Sequence, residues 1–244
     1  MKKIITKMYL ALVTIGLAMG LTMRWYSIWS KIYSFLYIKK SIRNGVLPTV
    51  TRSSGGVSKL LHEVLKVPYQ IDGIRELNDV CLPPGKVQHY IDHGLTGPMD
   101  CDDYARYIAA RLDDTEYKPK LLSLIWANKE NMKFGMFPKI NGHVVCLYTC
   151  PEERIDPGSV VLPNIYHVGN WNRRIVNDKM TILDPKHFGY RNLLLLAQDT
   201  VGDHTPICWA IMDCELKVCT WGTGYPPDMC TLELESCRPM SLLG

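Results

Sequence analysis

The chain has 244 residues, 47% hydrophobic, 21% charged and 9% aromatic, with a formal net charge of +4. That length suits one large domain or two small ones with a buried core. The composition excludes collagen-like, low-complexity and charge-driven disordered chains. The positive charge is mild and local: eight basic residues and no acidic one lie from Lys2 to Arg43. They flank apolar sequence rather than cluster, which points to a membrane surface and away from nucleic acid.

Lys2, Lys3 and Lys7 precede the uncharged run Met8–Met23, which Arg24 closes. A run of about 16 residues is long for a signal-peptide core and slightly short for a span, which needs roughly 20. Gly16-Leu17-Ala18 and Ala18-Met19-Gly20 offer only weak cleavage sites. The stretch Arg24–Tyr37 is aromatic and basic, as an interfacial helix is. Residues 1–44 therefore read as an uncleaved anchor followed by a juxtamembrane helix, with a helical hairpin packed on the domain as the alternative. This makes the protein membrane-associated; basic residues on both sides leave its orientation open. Residues 45–56, ending in Thr-Arg-Ser-Ser-Gly-Gly, read as a linker. A single domain follows over 57–244.

In that domain, apolar residues at 57, 60, 61, 64 and 65 form a helical stripe. A short helix fits Lys86–His93 after the Pro83-Pro84-Gly85 turn, and a longer one fits Asp100–Leu112. Leu121–Ala127, His143–Cys150, Ile165–Trp171, Met180–Leu183, Leu193–Ala197 and Ile207–Met212 read as strands. Helices first and strands afterwards predict an α+β fold, an antiparallel sheet with helices on one face.

The chemistry concentrates in Gly97-Pro98-Met99-Asp100-Cys101-Asp102-Asp103 and Asn141-Gly142-His143. Asp100 suits an N-cap and Asp103 the acid of a capping box, so Cys101 opens a helix near its positive end. Asp102 and Asp103 add negative charge beside the sulfur, so activation of the thiol needs an imidazole partner. His143 opens an alternating strand and can receive the thiol proton. A third group would accept a hydrogen bond from the second ring nitrogen. Two residues qualify: Asn170, ending the strand from Ile165, and Asp184, before Pro185. If the Ile165 strand returns antiparallel to the His143 strand, its end lies beside His143, which favours Asn170. A further antiparallel strand would carry Asp184 to the far end.

Asp100-Cys101-Asp102-Asp103-Tyr104-Ala105 at a helix start, with Gly142-His143-Val144-Val145 on a strand, resembles the transglutaminase-like cysteine peptidase superfamily, in its bacterial and phage branch. The resemblance covers about residues 57–190. It implies a papain-like α+β core, with the cysteine on a helix and the histidine and an Asp or Asn on adjacent strands. The usual spacing from histidine to the acid is shorter than here. The insertion Pro151–Pro163 accounts for the excess if Asn170 is the partner, whereas Asp184-Pro185 matches the acid-proline pair of many members. The implied reaction is acyl transfer on peptide or isopeptide amides through a thioester, without a cofactor. The backbone N–H of Cys101 is a natural oxyanion donor, and a side chain from 69–96 would supply the rest.

Nine cysteines leave other readings open. Cys146-x3-Cys150 and Cys214-x4-Cys219 lack the paired spacing of a zinc ribbon. Setting Cys101 aside leaves eight, an even number that suits disulfides in an oxidising compartment or buried thiols in a reducing one. A membrane-anchored binding module of the same fold, without catalysis, is the alternative to an enzyme.

Overall fold

The structure, a computed structural model, describes residues 28, 30–41, 56–70, 81–97, 99–113, 115–128, 140–153, 162–176 and 179–239. The Met8–Met23 run and most of the linker lie outside these residues. Among the described residues no helix is long and apolar enough to cross a membrane.

The fold is α+β. Six strands form one antiparallel sheet: β1 (Lys120–Ala127), β2 (Ile140–Thr149), β3 (Ile165–Val168), β6 (Gly189–Tyr190), β7 (Thr205–Met212) and β8 (Val218–Thr223), in the order β6-β3-β2-β1-β7-β8. β4 (Arg173–Val176) and β5 (Lys179–Ile182) form a separate antiparallel ribbon. The helices are α1 (residues 30–41), α2 (Gly56–Val64), α3 (Pro84–His93), α4 (Cys101–Leu112), α5 (Leu193–Val201) and α6 (Thr231–Ser236).

Both sheet faces are covered, where the sequence predicted helices on one. On one face α4 packs on β2, with α2 and α3 against it. Their shared core joins Leu60, Leu61, Tyr104, Ile108 and Leu112 to Leu121, Cys146, Tyr148 and Val168. On the other face Leu193, Leu196, Ala197 and Val201 of α5, with Leu234 of α6, cover Leu122, Leu124, Val145, Leu147 and Ile211.

Three expected strands differ. Leu193–Ala197 is the start of helix α5, because the Oδ1 of Asn192 caps it by accepting the Leu195 N–H at 2.9 Å. Its buried positions 193, 196, 197 and 201 follow a helical repeat. The Ile165 strand stops at Val168 and becomes a single 3-10 turn, Asn170–Asn172. The Met180 strand pairs with β4 and not with the main sheet. Among the described residues, no disulfide joins the nine cysteines.

Candidate active site

The start of α4 is built as the sequence suggested. Asp100 holds extended backbone before the first helical residue, Cys101. Asp103, almost wholly buried, reaches back with Oδ2 to accept the Asp100 N–H at 3.2 Å. Its Oδ1 accepts the Leu82 N–H at 2.5 Å, and Oδ1 of Asp102 accepts the Asp103 N–H at 3.0 Å. The carboxylates beside the sulfur thus hold backbone in place. Two further side chains anchor the first turns of α4. Tyr104 donates its hydroxyl to the Val67 carbonyl at 2.5 Å, and the buried Arg106 donates to the carbonyls of Cys81, Leu82 and Cys214. Cys101 itself is partly exposed.

Tyr69 lies beside this helix start. Its ring stacks on Tyr104 at 6.1 Å, and the Gln70 N–H donates to the Met99 carbonyl at 2.8 Å. Burial, then the neighbouring Cys101 and Asp100, raises the Tyr69 hydroxyl far above the usual phenol range, so it stays a donor.

His143 lies on β2, opposite Leu124 of β1. Side chains alternate along a strand, and Val145 and Leu147 belong to the core under α5 while Cys146 and Tyr148 belong to the core under α4. His143 shares the phase of Val145 and therefore faces α5. Its imidazole stacks on Trp171, ring centroids 3.7 Å apart and planes 10° apart, and Trp126 meets Trp171 edge-on at 6.2 Å. The expected arrangement, thiol and imidazole on one face, is thus not what the register gives: α4 covers the opposite face. Burial, followed by the nearby His167, lowers the His143 pKa to about 3. The ring is neutral at physiological pH, able to accept a proton but poorly able to keep one.

β3 runs antiparallel to β2, with Cys146 opposite Val168 and Leu147 opposite His167. The chain continues past Gly169, where a Cβ would lie 3.9 Å from Cγ1 of Val145, into the Asn170–Asn172 turn. Asn172, fully buried, fixes that turn: its Oδ1 accepts the Gly169 N–H at 2.9 Å, and its carbonyl accepts the Leu183 N–H at 2.8 Å. The turn also lies against α4. Arg173 follows it, lowering the Tyr104 hydroxyl pKa against the burial that raises it, and donating to the Leu65 carbonyl at 2.6 Å. The Asn170 turn therefore bridges the two faces at one end of the sheet, with Trp171 on His143 and Arg173 beside the first turn of α4.

Among the described residues, two buried polar atoms at this bridge have no hydrogen-bond partner, Nε2 of His143 and Oδ1 of Asn170. Asp184 is elsewhere. Its Oδ1 accepts the Lys186 N–H at 2.9 Å, and its charge acts on Tyr148 and Cys150, five and seven residues along β2 from His143. The sequence singles out neither Trp171 nor Asn172, and it includes Tyr69 only within the 69–96 range that would supply an oxyanion donor. The Gly-Asn-Trp-Asn run was the available signal for the first two, since an Asn two residues after another at a strand end often closes a turn.

No protein-family model matches the chain, and no curated protein matches it.

Proposed function

We propose that the protein is a cysteine-dependent acyl transferase or hydrolase acting on peptide or isopeptide amides, with Cys101 as nucleophile, His143 as base and Asn170 orienting the imidazole. The observation that carries this reading is the unmet pair at the bridge: a ring nitrogen and an amide oxygen, both buried and both without partners among the described residues. Buried polar atoms are normally satisfied. Nε2–H of His143 donating to Oδ1 of Asn170 would satisfy both, and the same turn already holds Trp171 on the His143 ring. Catalytic hydrogen bonds in an unliganded protein are often looser than in the working complex.

In the reaction, which requires the imidazole to swing from the α5 side towards α4 at the sheet end, Sγ of Cys101 bonds to the amide carbon as its proton passes to the imidazole. The carbonyl electron pair moves to oxygen, beside the Cys101 backbone N–H at the helix start. Collapse expels the amine, which takes the proton from the imidazolium and leaves a thioester. Water or a second amine, deprotonated by His143, then attacks the thioester and restores the thiol. A papain-like core with transglutaminase-like chemistry fits this sequence of steps, and no cofactor enters it. The substrate is a peptide or protein.

The second reading is a catalytically inactive binding module, favoured by the orientation of His143 towards α5 and its stack on Trp171. Iodoacetamide alkylation of the whole chain between pH 5 and 9, read at Cys101 by mass spectrometry, separates the two. Catalysis predicts a rate at pH 6.5 at least about tenfold above an ordinary thiol of pKa about 8.5, and its loss in His143→Ala. A profile that tracks pKa 8.5 and ignores His143→Ala leaves the binding module.

A further inference from the structure

We propose that α1 is a docking helix for an anionic bilayer surface, held to the domain by its polar side; this rests on nothing in the reading of the Cys101 site. A helix on a globular protein ordinarily turns its apolar stripe to the core. α1 does the reverse. Ser30 and Ser41 are buried, the hydroxyl of Tyr33 accepts a hydrogen bond from Nζ of Lys86 at 2.8 Å, and Oγ of Ser34 accepts one from Nη1 of Arg106 at 3.4 Å. Outward, Ile28, Ile32, Phe35 and Leu36 fall at helical spacing on one side, with Phe35 62% and Leu36 57% exposed. Lys39 and Lys40 follow this stripe at the surface.

The charge pattern selects the occupant. Residues 28–41 contain three lysines and no acidic residue, and every charged side chain up to Arg43 is basic. An apolar stripe flanked by lysines complements the acyl boundary and headgroups of an anionic leaflet. A second copy of this chain would bring the same positive charge against itself. The uncharged run Met8–Met23 ends five residues before Ile28, so any bilayer that took it up would lie within a few residues of this stripe. Docking through α1 would hold α4 at a fixed attitude to the membrane, because Arg106 of α4 bonds Ser34 directly.

The test uses the full chain carrying p-benzoylphenylalanine in place of Phe35, or in place of Leu232, which is 60% exposed on α6. Each is irradiated with phosphatidylcholine vesicles containing about 30% phosphatidylglycerol, and adducts are identified by mass spectrometry. The proposal expects a lipid adduct at position 35 at least about tenfold above that at 232. It also expects at least about a fivefold fall when Lys39→Ala and Lys40→Ala are combined. Adducts from position 35 to residues 1–27 or to a second copy, equal lipid labelling at both positions, or no adduct overturn it. Labelling as strong on pure phosphatidylcholine overturns the anionic requirement and with it the proposal.

Discussion

The ring of Trp171 lies flat on that of His143, 3.7 Å between centroids. The stack covers an imidazole already buried in β2, and it is made by the turn that also touches α4. Trp171→Ala would open His143 to water and relieve the burial that depresses its pKa. The expected result is a rise of the His143 pKa from about 3 towards the ordinary 6.5, read by NMR titration, with a stability loss of about 2 kcal/mol for the half-buried indole. A titration unchanged in the variant would show that other groups desolvate the ring.

The same burial makes stability depend on pH. His143 is neutral when folded down to about pH 3, whereas the unfolded chain takes up a proton below about 6.5. Between those values the unfolded state binds more protons, so stability is full above about pH 6.5 and falls as pH drops, by up to about 1.4 kcal/mol per unit. Urea midpoints at pH 7, 6 and 5 should decline more steeply for the native chain than for His143→Gln. Parallel declines would mean that His143 is not the group responsible.

Asn170 and Asp184 make opposite predictions. On the proposed function, Asn170→Ala should lower Cys101-dependent activity by up to about 10⁴-fold, as loss of the orienting group does in the Ser-His-Asp triad. Asp184→Ala should leave it within about threefold, because that carboxylate caps the Lys186 N–H near the other end of β2. Measuring kcat/KM for both on one peptide amide decides between them, and a large loss confined to Asp184→Ala reverses the assignment.

Asp103 serves two backbone donors, those of Leu82 and Asp100. Asp103→Ala strands both in a buried place and should cost about 3 kcal/mol in denaturant unfolding. Asp103→Asn keeps one acceptor oxygen and should cost less. Equal losses for the two variants would assign the effect to charge rather than to hydrogen bonding.

The sequence showed α4 clearly, because Asp-Cys-Asp-Asp places a cap, a thiol and a reach-back acid in one turn. It showed most of β2 and β3 from their apolar runs, but began β2 three residues late, at His143, and carried β3 past Gly169 to Trp171. It did not show which way His143 faces. Val144, Val145, Cys146, Leu147 and Tyr148 are apolar on both sides since both faces are covered, so period-two alternation carries no polarity to read. Four consecutive leucines hid α5 in the same way, leaving only the Asn192 cap to mark it. The separate β4–β5 ribbon depends on tertiary pairing that no local pattern encodes.

The bond from the Leu82 N–H to Asp103 joins positions 21 residues apart. Between them the chain leaves, forms α3 and returns through the exposed stretch 93–96. The two ends of that excursion are knotted together at the base of α4, so its length is mechanically uncoupled from where Cys101 sits. Residues could be inserted or removed at Gly94–Thr96 at a closure cost that grows only slowly with loop length. The helix start would keep its place, which leaves this loop open to change in size.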